Sequence, residues 1–277
     1  MTPPELDRVA DLMRSVAEEA ILPRYRQLAE GDVREKTGPK DLVTVADLES
    51  EQLLTPALEA LLDGSVVLGE EAAEKDSRLF ALLDGDAPVW VVDPIDGTSN
   101  FVNGGKLFCV MVALVWRGKT RAGVIFDPLA ERWVGAEEGG GAWMHGENPE
   151  PRRMQLDAPT SPSEMEGVLS LRFLEDDLRG EVRARADVSV ARHVRLGCAG
   201  HEYIRLAENR YQFAVHGKNM PWDFTAGTLI HREAGGFNQL MNGGGPYIAH
   251  PEPTGVPLLL APDEATWETL HRVFDAD

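Results

Sequence analysis

Cysteine is nearly absent: the 277 residues contain only Cys109 and Cys198, 89 positions apart. Neither has a second Cys or a His at ligand spacing, so no disulfide framework and no zinc site is expected, and a reducing, cytoplasmic setting fits. Basic residues are scarce too, with 27 Lys+Arg against 46 Asp+Glu and a formal net charge of -19. Nucleic-acid binding depends on cations that displace counterions, and anionic membrane surfaces attract basic segments, so neither partner is expected. The longest apolar run, Phe108 to Trp116, falls far short of the roughly 20 residues that span a bilayer. The first residues carry Glu5, Asp7 and Asp11 rather than a basic and then apolar leader, so no targeting segment is expected. What is present is ample: 43% hydrophobic residues suffice for a folded core, and this length corresponds to about two domains of ~150 residues. Most of the excess acid reads as a solubilising surface, and metal ligands are to be sought in the remainder.

Thr2-Pro3-Pro4-Glu5 has the form of a capping box, and Leu6, Val9, Ala10, Met13, Val16, Ala17, Ala20 and Ile21 follow at helical spacing. A second helix is expected over Leu48–Leu62, then a short strand Val66–Leu68 ahead of Gly69-Glu70-Glu71. Val89–Val92 is apolar at every position, as in a strand covered on both faces, and is expected to halt at Asp93-Pro94. Leu107–Trp116, Thr120–Phe126 and Arg132–Ala136 are separated by short turns and imply antiparallel strands, so the sheet is not purely parallel. The Pro-, Glu- and Arg-rich stretch Gly146–Pro162 suggests a seam between two lobes, 1–147 and 148–277. The second lobe reads as a strand at Val168–Leu171, a helix at Ala199–Glu208, a strand at Tyr211–Val215, a helix from Trp222 to Gly235-Gly236, a strand at Leu258–Ala261 and a final helix at Asp263–Phe274.

The segment Trp90-Val91-Val92-Asp93-Pro94-Ile95-Asp96-Gly97-Thr98-Ser99-Asn100-Phe101 is the most informative. Two carboxylates straddle a Pro that fixes one backbone angle, so both side chains and the Ile95 carbonyl can converge on a hard cation such as magnesium. Gly97 permits a positive φ, and the amides from Gly97 and Thr98 onward open a short helix whose N-terminal end attracts phosphate. Taken alone, the segment reads equally as a Pro-Gly turn after a core strand. Asp47, Glu70 and Asp223 stand at the ends of other elements. Each by itself reads as a helix cap or a solvated acid, and together they have the composition of a metal cage.

Three motifs in order resemble the inositol monophosphatase family, within the lithium-sensitive, magnesium-dependent phosphatases that include fructose-1,6-bisphosphatases and bisphosphate nucleotidases. They are Asp41-Leu42-Val43-Thr44-Val45-Ala46-Asp47, the Trp90-to-Phe101 segment preceded by Gly69-Glu70-Glu71, and Trp222-Asp223-Phe224-Thr225-Ala226-Gly227 continuing to Glu233-Ala234-Gly235-Gly236. The resemblance spans nearly the whole chain. It implies a mixed α+β fold, a layered α-β-α-β-α sandwich, with most metal ligands in the N-terminal lobe, Asp223 in the C-terminal lobe, and assembly as a homodimer. It implies that Glu70, Asp93 and the Ile95 carbonyl hold one magnesium, that Asp93, Asp96 and Asp223 hold a second, and that some members use a third, weaker ion near Glu70. Gly97 and Thr98 match the phosphate-binding positions, and Thr98 paired with Asp47 matches the pair that positions and deprotonates the attacking water.

The match weakens where substrate selection is expected. Animal members of the family place a substrate-contacting Glu seven residues before the aspartate of the Trp-Asp motif; here that residue is His216, and Arg195 stands where Ser is common. Arg195 reads either as a contact to an acidic substrate or as a surface ion-pair partner, and His216 either as a structural histidine or as a substrate contact. The expected activity is therefore hydrolysis of a small phosphate monoester such as inositol 1-phosphate. Histidinol phosphate, sugar bisphosphates and nucleoside bisphosphates are the alternatives within the superfamily. Ser99-Asn100-Phe101, where bisphosphate nucleotidases carry Lys-Glu-Phe, leans toward the monophosphatases. A non-catalytic regulator that senses metal or phosphate is the reading from another class.

Overall fold

The computed structural model describes residues 5–38, 41–146, 148–172, 174–217, 220–241, 243, 245–249 and 255–274. The capping box expected at residues 2 to 4 lies outside them, as do Lys218 and Asn219. The chain runs α1 (Leu6–Val16), a π turn and a 3-10 turn to Arg24, β1 (Val33–Gly38), β2 (Asp41–Thr44), α2 (Val45–Leu61), β3 (Val66–Gly69) and α3 (Glu70–Lys75). After a 3-10 segment at Ser77–Asp84 come β4 (Val89–Asp96), α4 (Thr98–Val102), β5 (Cys109–Trp116), β6 (Lys119–Asp127), β7 (Arg132–Glu137), β8 (Gly141–His145) and β9 (Arg152–Met154). The remainder is β10 (Glu166–Ser170), α5 (Asp176–Ser189), β11 (Arg192–Val194), α6 (Ala199–Ala207), β12 (Phe213–His216), α7 (Pro221–Glu233), β13 (Phe237–Leu240), β14 (Leu258–Ala261) and α8 (Glu264–Phe274).

A seven-stranded sheet has the order β3-β4-β5-β6-β7-β8-β9, and a five-stranded sheet the order β11-β10-β12-β14-β13. Only β3 runs parallel to its neighbour in the first sheet, as the short turns after β5 and β6 require. Alternation along the strands separates the cores. Trp90, Val92, Val110, Val112 and Val124 meet α1 and α2 through Val9, Met13, Leu54 and Leu58. Val91, Met111, Ala113 and Ile125 face the opposite way, onto Tyr203 of α6, Phe224 and Leu229 of α7, and Leu258 and Leu260 of the second sheet. The far side of that sheet packs Phe213, Val215 and Leu259 on α5 and α8. The result is the layered α-β-α-β-α sandwich.

Three local expectations need correction. Helix α2 starts at Val45 rather than Leu48, because the Thr44 side chain accepts from Ala46 N–H while Asp47 accepts from Thr44 N–H, a closed capping box. Strand β4 does not stop at Asp93-Pro94 but continues to Asp96. The division at 147/148 falls inside the first sheet, since β9 pairs with β8; the change of sheet comes between Met154 and Glu166.

The third motif is explained by close packing. A Cβ added at Gly123 of β6 would lie 2.8 Å from the Cα of Ala226, and one at Gly227 would lie 2.1 Å from the Tyr203 ring. Small residues thus let α7 lie against both the sheet and α6, which brings its first turn, with Asp223, over the end of β4. Gly227→Ala is therefore expected to lower stability by about 1–3 kcal/mol through overpacking, read as a lower denaturant midpoint; an unchanged midpoint would contradict this account of the helix's seating.

Candidate active site

In an unbroken strand Asp93 and Asp96 would face opposite sides. Asp93 pairs with Met111 and Asp96 with Cys109, so two residues of β4 oppose one of β5 between them. That bulge sits at Pro94, which has no N–H to donate, and it resets the alternation: Ile95 packs with Trp90 and Val92. Both acids therefore face the α6/α7 layer. Ligand oxygens of Asp93, Asp96 and Asp223 all lie within 4.8 Å of one another. Ile95 N–H donates to Asp93 Oδ1 at 3.0 Å, and Gly200 N–H, from the first turn of α6, donates to Asp96 Oδ2 at 2.6 Å. Asp93 is pushed well above the usual carboxylate range by burial first, then by the facing Glu70, Asp96 and Asp223. Such an array demands cations or protons.

Glu70 begins α3, and the position of that helix is set from α2. Glu51 accepts the N–H groups of Glu71 and Ala72, both at 2.8 Å, and its carboxyl passes where Gly69 has no Cβ. Glu70 is pushed up to about 7 by burial, against the lowering effect of Lys36. Lys36 of β1 reaches Glu70 at 2.8 Å, Glu71 at 2.7 Å and Glu74 at 3.1 Å. Asp47 is buried and pushed up to about 6 by desolvation, with its Thr44 hydrogen bonds opposing. Thr98 Oγ1 lies 3.2 Å from Asp47 Oδ1 and 2.9 Å from the Ile95 carbonyl oxygen.

Gly97 adopts φ +85° as the cap of α4, and a side chain there would collide with the Leu107 carbonyl and Cys198. The Asn100 side chain donates to Leu107 O at 2.8 Å and Leu196 O at 3.0 Å, tying this turn to the loop before α6. Glu70, Asp93, Ile95, Asp96, Gly97, Thr98, Arg195, His216 and Asp223 line one cavity of about 560 Å³. Asp47 stands behind it, joined through Thr98. Arg195 lines the cavity, and its charge acts on the buried Glu202 carboxyl, opposing the upward push of burial. His216 is buried, with Nδ1 3.3 Å from Glu202 Oε2, and burial lowers it to about 3.

Sequence reasoning passed over Lys36, Glu51, Ser170, Arg172 and Glu202, of which all but Glu51 touch the cavity lining or its acids. Glu202 is buried and receives the Ser170 hydroxyl at 2.8 Å. Glu51 had a readable signal, because Asp47, Glu51, Leu54 and Leu58 share one buried helical stripe. Lys36 had none, since only the β1–β2 pairing brings it to Glu70.

The inositol monophosphatase family model matches residues 5–272. A fructose-1,6-bisphosphatase/inositol-1-monophosphatase of Thermotoga maritima is 32% identical over 207 residues, which make up 74% of each chain. The Nus factor SuhB of Vibrio cholerae is 30% identical over 236 residues, 80% of this chain and 82% of that protein. Among solved structures, the Thermotoga maritima IMPase superposes with a TM-score of 0.80 at 27% identity, covering 97% of this chain and 96% of that one.

Burial raises Glu202 to about 7, and burial with the adjacent Glu70 raises Glu71 to about 8. Together with Glu70, these groups hold protons in the folded chain that the unfolded chain, with Glu near 4.5, has already lost. Stability falls with rising pH wherever the native state binds more protons. His216 and His231, lowered to about 3 by burial, act in the opposite sense, but only below the ordinary histidine value of 6.5. The metal-free protein is therefore expected to lose stability between pH 6.5 and 8, measured as a falling denaturant midpoint; a flat or rising midpoint would contradict the picture of compressed carboxylates.

Proposed function

We propose, from the premise that the chain belongs to the inositol monophosphatase family, that it is a magnesium-dependent phosphatase of a small polyol phosphate monoester, inositol 1-phosphate being the reference substrate. The observation that carries this reading is the convergence of Asp93, Asp96 and Asp223 on one side of a strand bulge, beside the Thr98–Asp47 pair. The donor set fits magnesium: it is all oxygen, Asp93 and Asp96 are buried and Asp223 partly so, and its own repulsion leaves it short of positive charge. Glu70, Asp93 and the Ile95 carbonyl would hold one ion, and Asp93, Asp96 and Asp223 the other, with Asp93 shared. When bound, magnesium supplies acidification of water and neutralises charge on phosphoryl and leaving oxygens.

The protein's own groups do the rest. The Thr98 hydroxyl has one hydrogen and two acceptors within reach, Ile95 O and Asp47 Oδ1. With the Ile95 carbonyl committed to a ligand, that hydrogen goes to Asp47, and a Thr98 lone pair is left to accept from the attacking water. Asp47, already drawn toward protonation by burial, then takes up the proton through Thr98. The amides of Gly97 and Thr98 precede the first intrahelical donor of α4 and would face phosphoryl oxygens. On the other wall, Ser170 and Glu202 offer hydroxyl-binding groups, and Arg172 and Arg195 line the same cavity. A homodimer, as the family resemblance implies, belongs to the same reading.

The test is phosphate release from inositol 1-phosphate, histidinol phosphate, fructose 1,6-bisphosphate and adenosine 3′,5′-bisphosphate, compared as kcat/KM. Release is expected to require magnesium, to be suppressed by lithium, and to fall by about a hundredfold or more in Asp93→Asn, the scale seen when one transition-state-stabilising group is removed. A folded, magnesium-binding chain that releases phosphate from none of the four would overturn the proposal in favour of a regulatory role.

A further inference from the structure

The two cysteines that stand far apart in sequence meet at the back of the metal cage. Cys109 opens β5 and Cys198 caps α6, and their sulfurs are 3.7 Å apart. Asp96 Oδ2 lies 3.0 Å from Cys198 Sγ and 3.6 Å from Cys109 Sγ. All three residues are buried, both thiols are free, and one ligand atom from each falls within 4.8 Å of the others. A tetrahedral ion with metal–sulfur bonds of ~2.3 Å spaces its two sulfurs about 3.8 Å apart, and an oxygen ligand at ~2.1 Å sits about 3.6 Å from each sulfur. The observed edges are within about 0.6 Å of that geometry.

Two sulfurs and one oxygen form a soft donor set, which favours zinc or cadmium and disfavours magnesium. Asp96 thus belongs to two ligand groups, the all-oxygen one with Asp93 and Asp223 and the sulfur-rich one with Cys109 and Cys198. The geometry points to a second metal site formed by Asp96, Cys109 and Cys198, for a soft or borderline divalent ion such as zinc, whose occupation withdraws Asp96 from the oxygen cage. One divalent ion enters, both thiols release their protons to solvent, and no oxidation takes place. Cys198 lines the cavity, which gives the ion a path in and a water for its fourth position. Burial first, with the facing Asp96 acting in the same direction, pushes both thiols up, so the ion must displace their protons on binding. The site stands independently of the proposed phosphatase activity; only its inhibitory consequence rests on that reading.

The experiment uses the full chain, reduced and freed of metal, titrated with Co²⁺. A thiolate-to-cobalt charge-transfer absorption is expected to saturate at one equivalent and to be displaced by zinc. Cys109→Ala and Cys198→Ala are each expected to abolish it and to weaken zinc binding by at least about tenfold, the lower end of what even an outer-shell change costs. Asp93→Asn, outside this donor set, is expected to keep the absorption. No absorption in the folded unaltered chain would overturn the site without recourse to any variant, as would an absorption that survives both cysteine substitutions. Zinc is further expected to inhibit phosphate release at fixed magnesium in the unaltered chain and not in Cys109→Ala; equal inhibition of both would overturn the coupling to the cage. Absorption without turnover of any phosphate ester would support the site while contradicting the function proposed above.

Discussion

The mutual repulsion of Asp93, Asp96 and Asp223 is the constraint around which the rest of the structure is arranged. Three carboxylates whose oxygens lie within 4.8 Å, two of them on a fully buried strand, are costly in a folded chain. Several features hold them there. The bulge at Pro94 turns two acids to one side, and the small residues of α7 let Asp223 approach. Backbone N–H groups of Ile95 and Gly200 each fix one carboxylate oxygen. None of these features removes the negative charge. The three acids form a cluster that could hold metal ions, and the family to which the chain belongs hydrolyses phosphate esters.

The surrounding groups divide the work. On the α2 side, Asp47 and Glu51 are one helical turn apart and face inward: the first receives Thr98, and the second seats the helix that carries Glu70. Lys36 faces Glu70, Glu71 and Glu74 and supplies positive charge at this edge of the site. On the α6 side, Glu202 is held by Ser170 and lies next to His216. A buried carboxylate from α6 thus stands beside position 216 of β12.

Much of this was legible in the sequence for identifiable reasons. Helix α1 shows its apolar stripe, β4 is apolar from Val89 to Val92 because layers cover both its faces, and the acids at 47, 70, 93, 96 and 223 stand next to core elements that fix them. Helix α5 was missed because only Val182 and Ala186 of its fourteen residues are buried, leaving no periodic signal. The continuation of β4 through Pro94 was missed because a bulge absorbs the proline that ordinarily ends a strand. Lys36, Glu202 and the Cys109–Cys198 contact depend on pairings between distant segments, which spacing along one chain does not encode.

In the proposed phosphatase, Asp93 would be shared between two ions. Anomalous diffraction from crystals soaked in manganese, as an electron-rich substitute for magnesium, tests it directly. Two peaks about 3.5–4 Å apart, the spacing of two-metal phosphoryl-transfer sites, are expected on either side of the Asp93 carboxylate, one toward Glu70 and the other toward Asp96 and Asp223. Peaks that leave Asp93 without a contact, or a single peak at saturating manganese, would contradict the account.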